Sequence, residues 1–363
     1  MLKELKKGKN KKEKVFVGMS GGVDSSVAAF LLKNRGYEVI GIFMKCFNLD
    51  GCAERDAEDA RRVAEKLEIP FYVWDFEEEY KKKVVEYMVE GYRQGITPNP
   101  DVMCNREIKF GIFLEKALKM GADYVATGHY VKLKTENLKT KKLYIANDKN
   151  KDQSYFLWTL IQKQLKHCLF PIGDYLKSEV REIARKAGLP TAEKKDSQGI
   201  CFLGKVTLNE FLSQYITPKK GAVLNEKGEK IGEHKGAYFY TIGQRHIGTN
   251  LRPTINNQQP FYVAEKNVKT NTLILAEGSD NNILFKKEIK ISSLNWILGK
   301  FPHSAQKVFA RVRYRQPLAE AELFSDKGGY KLIFSEPVKF VANGQSTVFY
   351  GKDGEMLGGG IIV

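Results

Sequence analysis

The sequence predicts an α/β protein with an N-terminal parallel-sheet domain and a C-terminal region built of short strands. Between Val15 and Gly128, short β-branched and aromatic runs alternate with amphipathic stretches, which is typical of βαβ units and a parallel sheet. After about Val206 helical periodicity largely disappears, and Gly-containing turns separate short apolar runs. This second pattern favours a β-barrel or a sandwich.

The N-terminal elements follow from the hydrophobic periodicity. Strands are predicted at 15–18, 37–45, 71–76 and 122–128. Helices are predicted between them at 25–34, 53–67, 78–92 and 105–119. This alternation implies a parallel sheet with right-handed crossovers, and in such sheets ligands are expected beyond the carboxyl ends of the strands.

The rest of the chain is less regular. A lysine-rich stretch at 132–152 carries seven Lys against three acidic residues and precedes predicted helices around 155–168 and 177–188. Short strands are then predicted at 236–243, 261–266, 272–277, 308–316, 319–325, 330–336 and 346–351.

Composition restricts the class of protein. The 363 residues suggest two or three domains, and a hydrophobic content of 42% excludes a wholly disordered chain. No apolar run approaches the roughly 18 residues that a membrane helix needs. The formal net charge of +16 favours a polyanionic partner such as nucleic acid.

Two features point to a reducing compartment, and we expect the cytoplasm. Residues 1–14 contain seven Lys and two Glu without the apolar segment of a secretory signal, so a solvated basic extension is predicted there. The cysteine count is odd and no C-x-x-C is present, which argues against a disulfide framework and against structural zinc. The cysteines are Cys46, Cys52, Cys104, Cys168 and Cys201.

The sharpest motif lies between the first predicted strand and the first predicted helix, and reads Gly18-Met19-Ser20-Gly21-Gly22-Val23-Asp24-Ser25-Ser26. Paired glycines let a backbone approach an anion closely, serine hydroxyls donate to it, and a helix N-terminus supplies free N–H groups. No lysine follows the glycines, so the Walker A pattern is absent and another kind of phosphate loop is predicted. The alternative is an ordinary strand-to-helix turn capped by Asp24 or Ser25.

Two further motifs contain cysteine. In the first, Asn99-Pro100 marks a turn, a helix beginning near Asn105 would place Cys104 at a positively biased N-terminus that favours the thiolate, and Asp101 could act as acid or base. In the second, 196–202, a Gly-containing turn would leave Cys201 accessible. Either cysteine alone is more often a buried thiol. Beside a phosphate loop the pair fits sulfur insertion, because an adenylated oxygen leaves readily and sulfur is a good nucleophile.

The loop resembles the PP-loop of ATP pyrophosphatases, which cleave ATP between the α- and β-phosphates. Along nearly the whole chain, seven motifs in order resemble the tRNA-specific 2-thiouridylase (MnmA) family, which converts the wobble uridine of certain tRNAs to 2-thiouridine. These motifs are SGGVDSS (20–26), NPDVMCNREIKF (99–110), ATGHYV (126–131), NKDQSYFL (150–157), DSQGICF (196–202), YTIGQRHIG (240–248) and LGGGII (357–362).

The resemblance implies a domain arrangement. It predicts a PP-loop, adenine nucleotide α-hydrolase-like catalytic domain at 15–205, a small central domain at 206–272 and a C-terminal tRNA-binding β-barrel at 273–363. Residues 1–14 lie outside the resemblance. His246 stands where a lysine is expected in many relatives, which would weaken a phosphate contact there.

The resemblance also implies site residues. ATP, with Mg²⁺ held partly by Asp24, would be bound by Gly18, Met19, Ser20, Gly21, Gly22, Val23, Asp24, Ser25, Met44 and Gly128. Asn99, Pro100 and Asp101 would surround the target base, with Asp101 as acid or base. Lys151, Asp152, Gln153, Arg313 and Tyr314 match tRNA-contacting segments; the alternatives are a polar loop for 151–153 and an exposed strand face for 311–315.

In the sulfur chemistry that the resemblance implies, Cys201 receives a persulfide from a sulfur carrier or a cysteine desulfurase. ATP adenylates O2 of the uridine, persulfide sulfur attacks C2, AMP leaves, and a transient Cys104–Cys201 disulfide remains. Which thiol contacts C2 directly stays open. The substrates would be the wobble-uridine tRNAs for Lys, Glu and Gln.

Three rival interpretations fit part of the sequence. Another PP-loop enzyme, such as an adenylating amide ligase or a 4-thiouridine synthase, is the nearest. The cysteines could instead ligate an iron–sulfur cluster, with Asp101 completing the site. A non-catalytic RNA-binding protein would explain the charge but not the loop. His129, which follows the fourth predicted strand, is either a site residue or a structural histidine.

Overall fold

The computed structural model describes residues 12–47, 51–136, 140–196, 204, 206–245, 247, 259–299, 301, 305–326 and 329–363. The N-terminal strands are β1 (Lys14–Gly18), β2 (Glu38–Lys45), β3 (Phe71–Asp75), β4 (Tyr124–Thr127) and, after an intervening hairpin, β7 (Cys168–Leu169). They form a parallel sheet in the order β3-β2-β1-β4-β7. The predicted parallel sheet is therefore confirmed.

Helices cover both faces of this sheet. They are α1 (Val23–Asn34), α2 (Cys52–Lys66), α3 (Glu77–Tyr80), α4 (Glu86–Arg93), α5 (Pro100–Met103), α6 (Phe113–Lys119), α7 (Gln162–Leu165) and α8 (Lys177–Lys186). The alternating side chains of β1 show the layering: Val15 and Val17 belong to the core formed with α1, α2 and α8, whereas Phe16 packs in the core with α4 and α6 on the other face.

Two of the helical segments contain π-helical stretches. Lys81–Val85 joins α3 to α4, and Cys104–Ile112 joins α5 to α6. The sequence predicts one regular helix at 105–119, whereas the structure has a helical segment that begins at Pro100. Asn99 caps this segment, because its side-chain oxygen accepts a hydrogen bond from the Val102 N–H at 3.2 Å.

A small central unit follows α9 (Leu208–Ser213). Its strands are β8 (Gly221–Leu224), β9 (Lys230–His234), β10 (Phe261–Asn267) and β11 (Thr272–Glu277), in the order β10-β11-β8-β9. The predicted domain boundary at 272 needs correction, since β11 pairs along its length with β10 and the central sheet extends to Glu277. The predicted strand at 236–243 is also wrong, because a short 3₁₀ turn occupies 237–239.

The C-terminal region is a closed antiparallel barrel. Its strands are β12 (Phe285–Trp296), β13 (Gln306–Arg311), β14 (Ala319–Asp326), β15 (Gly329–Lys339), β16 (Ser346–Tyr350) and β17 (Glu355–Ile362). The order is β12-β15-β14-β13-β16-β17, and pairing of β12 with β17 closes the ring. Closure leaves these strands without a free edge, and the prediction of a barrel is confirmed.

The first part of the lysine-rich stretch at 132–152 contributes a hairpin to the barrel sheet. It forms the hairpin β5 (Lys132–Glu136) and β6 (Thr140–Tyr144), and Met356 of β17 pairs with Leu143 of β6. The predicted helix around 155–168 is wrong: a 3₁₀ turn at Ser154–Phe156, α7 and β7 occupy that stretch.

One buried cluster joins the three parts of the chain. It includes Ile42 of the parallel sheet, Tyr155 of the connecting segment, Val223 of the central sheet and Val348 of the barrel. The sheet, the central unit and the barrel therefore pack around shared apolar contacts. Within the described ranges, no helix combines the length and apolar character that a membrane crossing requires.

Candidate active site

The phosphate loop connects β1 to α1. Gly21 has φ +72°, and a Cβ there would lie 2.3 Å from the Asp56 carbonyl oxygen, so only glycine fits. The Ser25 hydroxyl accepts a hydrogen bond from the Ser20 N–H at 3.1 Å and lies 3.3 Å from the Ser20 Oγ. These hydroxyls converge at the N-terminus of a 12-residue helix, where free N–H groups attract an anion.

The other predicted nucleotide-binding residues surround this loop. A Cβ on Gly128 would lie 2.6 Å from the Ser25 nitrogen, and a Cβ on Gly18 would lie 2.9 Å from Cε of Met44. The structure therefore brings Gly128 and Met44 to the loop from two different strand ends. The side chains of Met19 and Val23 are buried in the core, which leaves only their backbone groups for a ligand.

Asp24 is the acidic residue of the phosphate loop and lies in the first turn of α1. Lys177, the first residue of α8, donates to its two carboxylate oxygens at 2.7 and 2.8 Å. The Tyr130 hydroxyl donates to Oδ1 at 2.8 Å. Burial and the Asp24 charge raise the pKa of Tyr130, so the phenol stays protonated and remains a donor.

A second carboxylate extends this network. Asp196 pairs with Lys177 at 2.9 Å, Lys151 at 2.7 Å and Arg181 at 2.8 Å. Burial alone would raise the pKa of Asp196, but the hydrogen bonds from Lys151 and Lys177 lower it to about 2. Asp196 therefore stays ionised, and Lys177 connects it to Asp24.

A Mg²⁺ ion fits this site only in company with phosphates. The described part of the chain contains no group of three or more His, Cys, Asp or Glu side chains arranged to hold a metal. Asp24 keeps one third of its side-chain surface exposed at the loop. A single carboxylate completed by phosphate oxygens is a common way for proteins to bind this cation.

Cys104 occupies a different setting from the one predicted. The helical segment begins at Pro100, so Cys104 lies in its second turn rather than at an N-terminus. The thiol is buried, and this burial raises its pKa. The prediction of a thiolate favoured by the helix end is therefore wrong, because Cys104 lies beyond the first turn and burial disfavours its charged form.

The charges near Cys104 act in opposite directions. Lys109 lowers the pKa of the thiol, the Asp101 charge raises it, and a hydrogen bond with Tyr80 lowers it. Asp101 precedes Cys104 by three residues on the same helical segment, so the two side chains share one face. Asp101 is half-buried, which leaves a carboxylate beside a protonated thiol.

The second predicted thiol, Cys201, lies outside the described residues, as do the rest of 197–203 and His246. Residues 1–11 of the predicted basic extension also lie outside them. Asp196, the first residue of the DSQGICF motif, is described and belongs to the network around Lys177. Cys168 is buried and Cys46 is half-buried.

His129 follows β4 and is buried among aromatic rings. Its Nδ1 lies 2.7 Å from the Thr127 hydroxyl, and its ring meets Phe170 edge-on. Burial, together with the Lys109 charge, lowers its pKa well below the ordinary value. His129 is therefore a neutral, hydrogen-bonded residue of the protein core.

Asp152, in the middle of the predicted tRNA segment, is buried rather than exposed. Its carboxylate accepts from the Ala146 N–H at 3.1 Å and the Ser154 hydroxyl at 3.0 Å. Its Oδ2 lies 3.5 Å from Nη1 of Arg311 in the barrel, and both side chains are more than nine-tenths buried. This corrects the prediction of a direct tRNA contact through Asp152, since its side chain does not reach the surface.

The residues on either side of Asp152 in the sequence, Lys151 and Gln153, are less buried than Asp152. Lys151 is half-buried and pairs with Asp196, while the Gln153 side-chain oxygen accepts from the Tyr130 N–H at 3.0 Å. Arg313 donates to the Ile242 carbonyl of the central unit, and Tyr314 packs on Phe156 with ring centroids 4.5 Å apart. Because β13 ends at Arg311, the predicted exposed strand face at 311–315 does not form.

Comparison with known proteins agrees with this architecture. Family models match residues 13–205 (tRNA methyl transferase HUP domain), 209–277 (tRNA methyl transferase PRC-barrel domain) and 286–362 (aminomethyltransferase β-barrel domain). The tRNA-specific 2-thiouridylase MnmA 2 of Geobacillus kaustophilus is 46% identical over 357 residues, covering 96% of this chain and 94% of the relative. The chain belongs to the tRNA-specific 2-thiouridylase (MnmA) family.

Other similarities range from close to distant. The MnmA protein of Lacticaseibacillus paracasei is 45% identical over 361 residues, covering 97% of this chain and 95% of the relative. A solved 4-thiouridine synthetase–RNA complex with bound ATP is 18% identical with a TM-score of 0.34, over 56% of this chain and 50% of that one. The family predicted from the seven motifs is confirmed by the close relatives.

Sequence reasoning missed Lys177, Tyr130 as a partner of Asp24, and Arg311. Lys177 is the first residue of a predicted helix and Arg311 belongs to the alternating arginines of 311–315, and each reaches its partner only through long-range packing. Tyr130 lies inside the ATGHYV motif, so its motif position was the available signal.

Proposed function

We propose that this protein is a tRNA-uridine 2-sulfurtransferase that uses ATP to replace O2 of the wobble uridine with sulfur. The observation that carries the proposal is the 46% identity to a tRNA-specific 2-thiouridylase along nearly the whole of both chains. The phosphate loop and Cys104 lie in the same parallel-sheet domain, as the two half-reactions require.

ATP would bind where the loop, Met44 and Gly128 meet. The Ser20 and Ser25 hydroxyls and the backbone N–H groups of 21–25 would face the phosphates, and the close packing of Gly128 would admit a nucleotide beside the helix start. Mg²⁺, where bound, would neutralise phosphate charge and make pyrophosphate a better leaving group. Asp24 is the side chain that we assign to it.

Adenylation would take place beside the start of α5. O2 of the uridine attacks the α-phosphorus of ATP, the bond to the β-phosphate breaks, and pyrophosphate leaves. Asn99 caps the helical segment, and Pro100 and Asp101 are its first two residues. We assign these three residues to contacts with the target base. Asp101 would take the proton that the uridine loses at N3.

Sulfur transfer would then use the two cysteines. The terminal sulfur of a Cys201 persulfide attacks C2, and AMP leaves with the former O2. Cys104 attacks the Cys201 sulfur, the S–S bond to the transferred sulfur breaks, and the thiocarbonyl forms. A Cys104–Cys201 disulfide remains and a dithiol reductant must reduce it. Asp101 would return the uridine proton to N3 and accept the proton of Cys104, which is protonated in this structure, during the attack.

We assign partners on the same basis. The substrate is tRNA, with the tRNAs for Lys, Glu and Gln as the specific expectation. Lys151, Gln153, Arg313 and Tyr314 lie around the junction of the catalytic unit and the barrel, where a folded RNA could contact both. A sulfur carrier or a cysteine desulfurase would load Cys201, and these reactions would take place in the cytoplasm.

The test separates the two half-reactions. Purified protein is mixed with ATP, Mg²⁺ and unmodified tRNA, and pyrophosphate release and thiouridine formation are measured with and without a persulfide donor, a cysteine desulfurase supplied with free cysteine. Cys201→Ala should release pyrophosphate and form no thiouridine, while Cys168→Ala, at a buried thiol away from the loop, should retain both activities. An amide ligase would keep full turnover in Cys104→Ala and Cys201→Ala, and an iron–sulfur enzyme would lose activity on iron removal; either result would contradict the proposal.

A further inference from the structure

The start of the YTIGQRHIG motif lies where the three parts of the chain meet. Arg313, which follows the barrel strand β13, donates to the Ile242 carbonyl. From the parallel-sheet domain, the Thr97 hydroxyl donates to the Thr241 hydroxyl at 3.3 Å. The stretch 240–242 of the central unit is therefore held by the barrel on one side and by the parallel-sheet domain on the other.

Thr97 connects this junction to the residues that we assign to the target base. Its side chain is buried, its N–H donates to the Asn343 carbonyl at 2.7 Å, and its carbonyl accepts from the Gln345 side chain at 2.9 Å. Only Pro98 separates Thr97 from Asn99. Because the chain between them is so short, a shift of Thr97 would move Asn99 with it.

Lys266, on β10 of the central unit, joins the two sides of the junction. Its ammonium donates to the Tyr240 carbonyl at 2.8 Å and to the Thr97 hydroxyl at 3.5 Å. Both acceptors are neutral, and burial alone lowers the pKa of Lys266 to about 8, with no contribution from a carboxylate among the described residues. Lys266 is therefore a partly buried cation that contacts neutral oxygens from two units.

This setting makes Lys266 unfavourable for the stability of the folded protein. Its pKa is about 8 when folded against an ordinary 10.5, so the unfolded chain holds the proton more tightly, and stability rises as the pH increases from about 8 to 10.5. Methionine, of similar length and without charge, would avoid this penalty. A charge that lowers stability and yet bridges two units indicates a role beyond packing.

We propose that Lys266 is a positioning residue, whose ammonium fixes Thr97 against the stretch 240–242 and so holds Asn99 and Asp101 in place for the target base. This rests on the proposed function. In this role Lys266 contacts neither ATP nor RNA and acts through Thr97. Hydrogen bonds from a charged donor are about twice as strong as neutral ones, so the contact should weaken as the pH rises through about 8.

The other titratable groups of this junction keep their charge over that range. Burial raises the pKa of Tyr92 of α4 to about 12 and also raises the pKa of Tyr240. Burial lowers the pKa of His234, whose ring meets Tyr240, so this histidine is neutral above pH 7. Arg313 stays charged although burial lowers its pKa. Among these described groups, Lys266 is the one whose charge changes between pH 7 and 9.

Steady-state kinetics test this role. Pyrophosphate release from ATP is measured at pH 7 with increasing concentrations of unmodified tRNA. Lys266→Met should lower kcat about 10- to 100-fold, as expected for a small misplacement of reacting groups, and should keep KM for tRNA within about twofold. Its urea midpoint should equal or exceed that of wild type. Lys269→Met, at an exposed lysine of the same unit, is the matched control and should behave as wild type.

The pH dependence separates positioning from a structural role. The ratio of wild-type kcat to Lys266→Met kcat should fall about three- to tenfold between pH 7 and 9, with a midpoint near 8. The ratio of wild type to Lys266→Arg, which stays charged, should fall over the same range, and this comparison does not depend on the folding of Lys266→Met.

Three results would overturn the inference. They are a wild-type kcat in Lys266→Met, a lower kcat accompanied by a lower urea midpoint, and kcat ratios that do not change between pH 7 and 9. Failure of the wild-type protein to release pyrophosphate in the presence of tRNA would instead contradict the proposed function.

Discussion

A Cβ atom placed on Gly128 would lie 2.6 Å from the backbone nitrogen of Ser25, so the end of β4 and the start of α1 are closer than any side chain permits. The atoms it would meet belong to the backbone, which cannot rotate away. This contact sets the distance between the strand end and the phosphate loop, and it makes the position of the loop depend on one glycine.

Gly128→Ala should therefore displace the loop and weaken nucleotide binding. We expect an affinity for α,β-methylene-ATP at least tenfold lower, with about 1–3 kcal/mol lost from the free energy of unfolding through overpacking. Gly121→Ala is the control: its φ is +83° and nothing lies within 4 Å of an added Cβ, so it costs about 1 kcal/mol of stability by strain alone. Wild-type nucleotide affinity in Gly128→Ala would contradict the assignment.

The buried pair of Asp152 and Arg311 should act on stability. Asp152→Ala leaves the Arg311 guanidinium buried without its carboxylate, and we expect a loss of about 3–5 kcal/mol in urea denaturation. Arg315→Ala, at an exposed arginine in the same segment, should change stability by less than about 0.5 kcal/mol. A variant Asp152→Ala with wild-type stability but weaker tRNA binding would show that Asp152 contacts RNA after all.

The reactivity of Cys104 should follow its raised pKa. Since burial keeps the thiol protonated beyond its ordinary pKa of 9.0, alkylation by iodoacetamide should be slow at pH 7 and still rise above pH 9. Asp101→Asn removes a charge that raises this pKa, so it should speed alkylation while it slows tRNA thiolation. Peptide mapping resolves Cys104 from the other thiols. Alkylation that is fast and flat between pH 7 and 9 would mean that the thiolate already forms.

The Asp196 network should make stability depend on pH in the acidic range. The pKa of Asp196 is about 2 in the folded protein against an ordinary 3.8, so its stabilisation is present above about pH 4 and is lost as the pH falls towards 2. Asp196→Asn should be about 1–2 kcal/mol less stable than wild type at pH 7. Urea midpoints at pH 7, 5, 4 and 3 should show the gap narrowing below pH 4; a constant gap would exclude Asp196 as its source.

The sequence predicted the local features of this molecule better than the long-range ones. The loop at 18–26 and the four N-terminal strands follow from residue type and spacing, which act within one segment. The hairpin at 132–144 joins β17 more than two hundred residues later, and no local pattern reveals such a pairing. The strand at Glu355–Ile362 contains three glycines. Because glycine is uncommon in strands, the residue types there do not predict one.

The same contrast between local and long-range features holds for the candidate active site. Its motifs identified the family, the loop and Cys104, yet the thiol's state depends on burial that only the packed helices create. Lys177 reaches Asp24 because α8 packs on α1, although the two residues are far apart in sequence. The family resemblance predicts a tRNA contact for Asp152 from its motif position, whereas the carboxylate of Asp152 lies against Arg311 inside the protein.

The most direct test of the account is the product itself. The protein is incubated with ATP, Mg²⁺, a cysteine desulfurase with free cysteine as the persulfide donor, a dithiol reductant and unmodified tRNA, and the RNA is digested and analysed by mass spectrometry. The account predicts 2-thiouridine at the wobble position, together with AMP and pyrophosphate in equal amounts, and no 2-thiouridine with Cys104→Ala. Consumption of ATP without any 2-thiouridine in the wild-type reaction would contradict it.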